Sequence, residues 1–97
     1  MILEVAILDV KSDKSKEFED TFKEAQKIIS SMNGYVSHNL QKCIENNNRY
    51  LLTVTWETLQ DHTIGFRQSK EYLQWKKLLH HFYDPFPIVE HYSKIDL

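Results

Sequence analysis

The sequence predicts an α+β fold of the ferredoxin-like type, a split β-α-β arrangement whose antiparallel sheet carries its helices on one face. Two observations lead to this prediction. Four segments have the length and composition of strands, at residues 2–10, 35–44, 49–56 and 88–92. Between them, apolar residues recur at the three- and four-residue spacing of amphipathic helices, which gives the order β-α-β-β-α-α-β.

The bulk composition limits the size and the partners of this fold. The 97 residues are predicted to form one domain, residues 1–97, with the 41% hydrophobic and 27% charged content of a globular protein. A formal charge of −2 gives no excess of Lys and Arg, so we expect no nucleic-acid partner. The apolar N-terminal run is too short to span a bilayer and follows no basic segment, so we expect no signal peptide and no membrane partner. Cys43 is the single cysteine, which suits a cytoplasmic protein.

The first strand is apolar on both of its faces. Leu3, Val5 and Ile7 share one face, and the other carries Ile2, Ala6, Leu8 and Val10. A strand with one solvated face alternates more cleanly, so we expect something to cover each side of the sheet.

The first helix follows a polar connection in which Ser12 or Asp13 can act as its N-cap. Its apolar stripe is formed by Phe18, Phe22, Ala25, Ile29 and Met32. Asn33-Gly34 is predicted to end it.

The second and third strands form a predicted antiparallel hairpin around the polar turn 45–48. The third strand directs Tyr50, Leu52, Val54 and Trp56 to one face.

The two remaining helices follow the third strand. Thr58 and Asp61 form an acidic variant of the capping box for a short helix to about Phe66, and Ser69 can cap the next helix. The apolar face of that helix contains Tyr72, Trp75, Leu79 and Phe82. Asp84-Pro85 and Pro87 end it.

One pattern extends over nearly the whole chain: Tyr50-Leu51-Leu52 before Trp56-Glu57, then Asp61-His62, Gly65-Phe66-Arg67, Ser69, Tyr72, Trp75 and Val89-Glu90-His91-Tyr92. This pattern resembles the antibiotic biosynthesis monooxygenase (ABM) family of dimeric α+β barrels. The resemblance implies a homodimer whose two sheets face each other, with the segment after Phe82 reaching toward the partner.

The resemblance also implies a pocket between the helices and the sheet, with His62 as the catalytic candidate. An imidazole near its ordinary pKa suits proton transfer, although His62 could instead be a packing histidine. The residues that would bind a flat aromatic substrate are Phe66, Arg67, Tyr72, Trp75 and Tyr83. At helical spacing such aromatic residues are more often core than pocket, and Arg67 could simply pair with Glu71.

The other histidines do not predict a metal site. His80 and His81 are adjacent, whereas a helical ligand pair needs a spacing of about four. His38 and His91 could approach each other in the sheet, where they fit half-buried sheet histidines better than ligands. Cys43 has no activating neighbour in sequence, and Gly34 and Gly65 form no nucleotide-binding loop, so we expect no metal and no cofactor.

For function, the resemblance implies cofactor-independent oxygenation of a small phenolic substrate of the quinol or anthrone type, in which the substrate anion itself reduces O₂. The alternative is a dimer of the same fold that binds a small molecule without turnover, and a third possibility is a filled core with no pocket. Haem degradation, also associated with the family, looks to an Asn on the first strand and a His on the long helix. The first strand has no Asn, and Trp75 occupies about the position of that His.

Overall fold

A four-stranded antiparallel sheet organises the molecule, which a computed structural model describes over residues 1–97. The strands are β1 (Ile2–Asp9), β2 (Tyr35–Lys42), β3 (Arg49–Trp56) and β4 (Val89–Ser93), in the spatial order β2-β3-β1-β4. Two α-helices, α1 (Ser15–Ile29) and α2 (Lys70–Leu79), lie on one face. The predicted ferredoxin-like α+β fold is confirmed, and the sheet of one chain does not close on itself.

The hydrophobic core lies between the sheet and the helices. From β1 it takes Ala6 and Leu8, and from β3 it takes the alternate row that begins at Tyr50 and ends at Trp56. The helices contribute the stripe predicted for α1 and the apolar face of α2, namely Phe18, Phe22, Ala25, Ile29, Trp75 and Leu79. Burial of these side chains away from water is the main force that holds the helices on the sheet.

The opposite face of the sheet is apolar and open to solvent. Ile7 of β1 is 52% exposed, and Leu51, its partner on β3, is 36% exposed. Leu3 and its β4 neighbour Tyr92 are exposed beside them. No segment of the chain covers this face.

The start and the end of α1 differ from the prediction. Neither Ser12 nor Asp13 caps the helix: the N-cap residue is Lys14, which makes no side-chain capping bond. Asp13 has a φ of 66° in the turn that precedes the helix. The helix ends at Ile29, because the chain then turns through Ser31–Met32 on 3₁₀-type hydrogen bonds before Gly34.

The segment between β3 and α2 is a π-helical turn, Asp61–Phe66. Its N-terminus has the predicted reciprocal bonds: Asp61 Oδ2 accepts from the Thr58 backbone N–H, and the Asp61 N–H donates to Thr58 Oγ1. Ser69 caps α2 as predicted, since its Oγ accepts from the Tyr72 N–H at 3.1 Å.

The chain after α2 is tied to the end of β1. A 3₁₀ turn, His80–Phe82, is followed by a bridge between Tyr83 and Val10 and a hydrogen bond from the Asp84 N–H to the Asp9 carbonyl. A cis Asp84-Pro85 peptide then leads toward β4. Tyr83 is held beneath α2 as a result.

Candidate functional site

A cavity of about 360 Å³ lies between the sheet, the π-helical turn and α2. Its sheet side is formed by β1, β3 and β4, and its other walls come from the π-helical turn, α2 and the segment after α2. Fourteen residues line it, among them the whole predicted set of His62, Phe66, Arg67, Tyr72, Trp75 and Tyr83. The structure therefore places all six around one space.

Aromatic rings form the helical wall of the cavity. Phe66 stands edge-on to Tyr72 and to Trp75, with ring centroids 5.3 Å and 5.7 Å apart. Trp75 is in turn edge-on to Phe22 of α1, so this ring is both a core residue and a lining residue. Such an arrangement is a rigid, apolar surface on which a flat ligand can pack.

A buried carboxylate, Glu4 of β1, lies at the polar end of the cavity. Only 5% of the residue is exposed. Its Oε1 accepts a hydrogen bond from Trp56 Nε1 at 2.9 Å and lies 3.3 Å from His62 Nε2. Burial raises the pKa of Glu4, against the smaller opposing effects of the Trp56 bond and the Arg67 charge.

The His62 ring fills the space between this carboxylate and the sheet edge. It stacks on Trp56 at a centroid distance of 5.4 Å, and its Nδ1 is 2.7 Å from Nε2 of His91. Burial, with the charges of Arg67 and His91, lowers the pKa of His62 to about 3. The adjacent Glu4 favours a protonated ring, but burial is the larger effect, so His62 is neutral near neutral pH.

Arg67 brings a positive charge to this end of the cavity. It forms no ion pair with Glu71, so the expected surface pair is wrong: the π-helical turn directs Arg67 toward the cavity instead. Burial is the main cause of the lowered pKa of both His62 and His91, and the charge of the Arg67 guanidinium lowers both further. The side chain is exposed and available to an anionic ligand.

Two residues of this cluster were not predicted as site residues. Glu4 is the one charged residue in the helix-facing row of β1, a signal that the alternation of the strand already contained. The sequence allowed His91 to approach His38, but β2 and β4 are opposite edges of the sheet, so the two are apart. Both are half-buried sheet histidines, as predicted. His38 instead contacts Tyr35 and Gln26, and His91 pairs in register with Glu4.

The remaining histidines and the chelating groups can be placed as well. His80 lines the cavity, where burial lowers its pKa, whereas His81 is exposed. No group of three His, Cys, Asp or Glu side chains has the geometry to hold a metal ion. The imidazole nitrogens of His62 face Glu4 and His91, so this cluster forms a chain rather than a chelate. Neither α-helix has the length and apolar character that crossing a bilayer requires.

Comparisons with known proteins place this geometry in a family. The family model for antibiotic biosynthesis monooxygenase matches residues 1–78. The uncharacterized protein YczJ of Bacillus subtilis (strain 168) is 55% identical over 95 residues, which cover 98% of this chain and 100% of YczJ. A Bordetella bronchiseptica crystal structure that carries the same family description is 32% identical, with a TM-score of 0.92 over 97% of this chain and 96% of that one.

A more distant structure shares the fold. SnoaB from Streptomyces nogalater, a cofactor-independent oxygenase, is 17% identical, and the TM-score is 0.82 over 99% of this chain and 94% of SnoaB. At this identity the likeness concerns the fold. The family model and the close relatives carry the assignment: the chain belongs to the antibiotic biosynthesis monooxygenase family.

Proposed function

We propose that the protein is a cofactor-independent monooxygenase that oxidises a small phenolic substrate of the quinol or anthrone type. The observation that carries the proposal is the cavity of about 360 Å³ with an aromatic wall and a buried Glu4–His62 pair at one end. Family membership and the fold shared with SnoaB, a cofactor-independent oxygenase, support it.

The lining residues suit a flat ligand with one acidic hydroxyl. Its rings would pack on Trp75 and Phe66, with Tyr72 and Tyr83 closing the sides. Its hydroxyl would point to the Glu4–His62 pair, the acid–base group of the proposed reaction. Arg67 would stabilise the anion that forms, because a positive charge near a water-poor site strongly favours negative charge there.

The proposed reaction needs no external reductant. Loss of the hydroxyl proton from the enol (anthrol) tautomer of the substrate gives an anion whose negative charge is shared with the ring carbon para to that hydroxyl, which is the CH₂ carbon of the keto form. The anion transfers electrons to O₂ and forms a carbon–oxygen bond, which gives a hydroperoxide after protonation. Elimination of water then converts the original CH₂ group into a carbonyl, so one O₂ yields one carbonyl oxygen and one water.

Oxygen uptake with dithranol, a dihydroxyanthrone, tests this proposal. We expect enzyme-dependent consumption of one O₂ per dithranol and formation of the dihydroxyanthraquinone. His62→Gln should lower kcat on the order of a hundredfold, which is typical for loss of an acid–base group. Trp75→Leu should mainly raise KM, because it removes a stacking surface.

The matched control for these variants is His81→Gln, since His81 is exposed and outside the cavity. It should leave O₂ uptake unchanged. Dithranol that raises the melting temperature of the protein without any O₂ uptake would contradict the oxygenase and indicate the alternative, a small-molecule binder.

We further propose that the protein acts as a homodimer that joins the open sheet faces. Exposed Leu3, Ile7, Leu51 and Tyr92 give this face an apolar surface. A groove of about 400 Å³ beside β1, lined by Phe86 and Ile88 of the segment after α2, would receive the same segment of the partner. A second copy fits this face because its own open face is apolar in the same way.

A further inference from the structure

We propose that Glu4 is the catalytic residue that takes the proton of the phenolic substrate, and that His62 and His91 pass this proton to solvent at the β4 edge of the sheet. The inference deepens the proposed function, since it assumes a phenolic ligand in the same cavity. It does not depend on the later reaction with O₂.

The free oxygen of Glu4 is available to a ligand. Both protein groups near this carboxylate, Trp56 Nε1 and His62 Nε2, lie at Oε1. Every fully buried side-chain oxygen has a hydrogen-bond partner, and Oε2 makes no hydrogen bond within the chain, so Oε2 is not fully buried. Because Glu4 lines the cavity, Oε2 is reached from the cavity side. An acidic hydroxyl in the cavity can therefore approach Oε2 without displacing a protein contact.

His62 is less suited to take the proton directly. Its Nδ1 is occupied by His91 at 2.7 Å, and its Nε2 is directed at Glu4 at 3.3 Å, slightly beyond the usual hydrogen-bond range. Neither nitrogen is free for a ligand. Burial also lowers the pKa of His62, which makes this imidazole a weaker base than usual. It raises the pKa of Glu4, which makes this carboxylate a stronger base than usual.

The two imidazoles connect Glu4 to the sheet edge. β4 is an edge strand, and His91 stands opposite Glu4 in the β1–β4 register. His91 is half-buried, and its Nδ1 makes no hydrogen bond within the chain. The chain of contacts thus runs from a carboxylate in the cavity to a nitrogen that water can reach.

The proton balance of this chain is simple. The substrate proton arrives on Oε2, and rotation of the carboxyl group about its Cγ–Cδ bond exchanges the two oxygens, so that the O–H points to His62 Nε2. The His62 Nδ1–H points to His91 Nε2, whose own proton is on Nδ1. Transfer of one proton at each contact ionises Glu4, leaves both rings neutral with their proton on Nε2, and releases the Nδ1 proton of His91 to water. The net result is one proton moved from the carboxyl group to solvent, with no buried imidazolium left behind. Both rings must then return to the Nδ1–H tautomer before a second proton can pass.

Emodin, a trihydroxyanthraquinone that has no oxidisable CH₂ bridge, separates this inference from oxygenation. Its phenolate absorbs at a longer wavelength than its phenol, so binding and ionisation are read together at a pH below its own pKa. We expect the wild type to bind emodin as the phenolate. Glu4→Gln keeps an acceptor for Trp56, so it should bind emodin with similar affinity but as the neutral phenol.

The relay is tested by the release of the proton. Stopped-flow mixing in weak buffer follows phenolate formation by emodin absorbance and proton release by a pH indicator. In the wild type the two should coincide, whereas in His91→Gln release should lag behind ionisation about tenfold or more. Free imidazole should restore the rate in His91→Ala, which loss of a purely structural contact would not allow.

His38→Gln is the matched control, because His38 is also a half-buried, hydrogen-bonded histidine on an edge strand, at the opposite side of the sheet. It should change neither rate. Phenolate formation in Glu4→Gln would overturn the role of Glu4, as would failure of emodin to bind the wild type. Proton release at the wild-type rate in His91→Gln would overturn the relay. If dithranol is not oxidised but emodin still ionises through Glu4, the proposed oxygenase fails and the deprotonating site stands.

Discussion

At the scale of single residues, His62 should make the protein sensitive to acid. Burial lowers its pKa to about 3, whereas an unfolded histidine titrates near 6.5. Below about pH 6.5, His62 binds a proton in the unfolded chain but not in the folded protein. The free energy of unfolding therefore falls as the pH falls. Between pH 7 and pH 5 this effect should remove about 2 kcal/mol from the wild type, and His62→Gln should lack it.

Urea unfolding at several pH values and one fixed protein concentration measures this difference. His81→Gln, at an exposed position, should follow the wild-type pH dependence. The raised pKa of Glu4 acts in the opposite direction, since a folded state that holds a proton more tightly gains stability as the pH falls. If His62 and Glu4 instead form an ion pair in acid, the wild type will gain stability relative to His62→Gln as the pH falls.

The residue scale also shows what the sequence could and could not reveal. The family resemblance implied that the aromatic residues and His62 share one pocket, and they do surround one cavity. Glu4 was overlooked, because a single acidic residue in a strand is ordinarily solvated. Its burial depends on Trp56 and His62, which are far from it in sequence and meet it only through the fold.

At the scale of elements, the two glycines should respond to alanine with opposite signs. Gly34 has a φ of +81°, and a Cβ there would lie 2.1 Å from the Asp61 carboxylate that caps the π-helical turn. Left-handed strain of about 1–2 kcal/mol, together with a lost cap of about 1 kcal/mol, should make Gly34→Ala destabilising by roughly 2–3 kcal/mol.

Gly65→Ala is the matched comparison. The nearest atom to its Cβ would be the Gln60 carbonyl oxygen at 3.7 Å, an ordinary contact. Since alanine restricts the unfolded chain more than glycine does, we expect a gain of about 0.4–1 kcal/mol. Thermal unfolding of the two variants checks both signs, and equal effects would show that the Asp61 cap does not hold the turn.

The elements themselves were predictable to different degrees. β3 and the Ser69 cap follow directly from local sequence, because composition and capping chemistry act over a few residues. The π-helical form of the second helix does not, because no local sequence signal specifies it; His62 and Phe66 of this segment pack on Trp56 of the sheet, which is a contact made only in the fold. The predicted N-cap of α1 was wrong because the backbone of Asp13 has a positive φ, which residue propensity alone does not specify.

At the scale of the molecule, strand order decides which side chains meet. A sequence pattern gives the order along the chain, whereas the spatial order β2-β3-β1-β4 depends on where β4 docks. That docking separates His38 from His91 and brings His91 to Glu4. The composition of the candidate site is therefore a product of topology as much as of motif.

The last prediction concerns the open face of the sheet at this same scale. If two copies join these faces, an interface of about 1,600 Å² should form, and light scattering at micromolar concentration should give twice the chain mass of 11.6 kDa. Ile7→Lys places a charge in the middle of this face, where burial without a partner opposes association, and should give a monomer.

Leu73→Lys is its control, because Leu73 is 66% exposed on α2, on the helical side of the sheet. It should remain a dimer. The helix-facing side of β1, with Ala6 and Leu8, is buried within one chain, so Ile7→Lys should fold and keep its far-ultraviolet circular dichroism. A folded wild type with the mass of one chain would leave the apolar face unpaired and would contradict the sheet-to-sheet dimer.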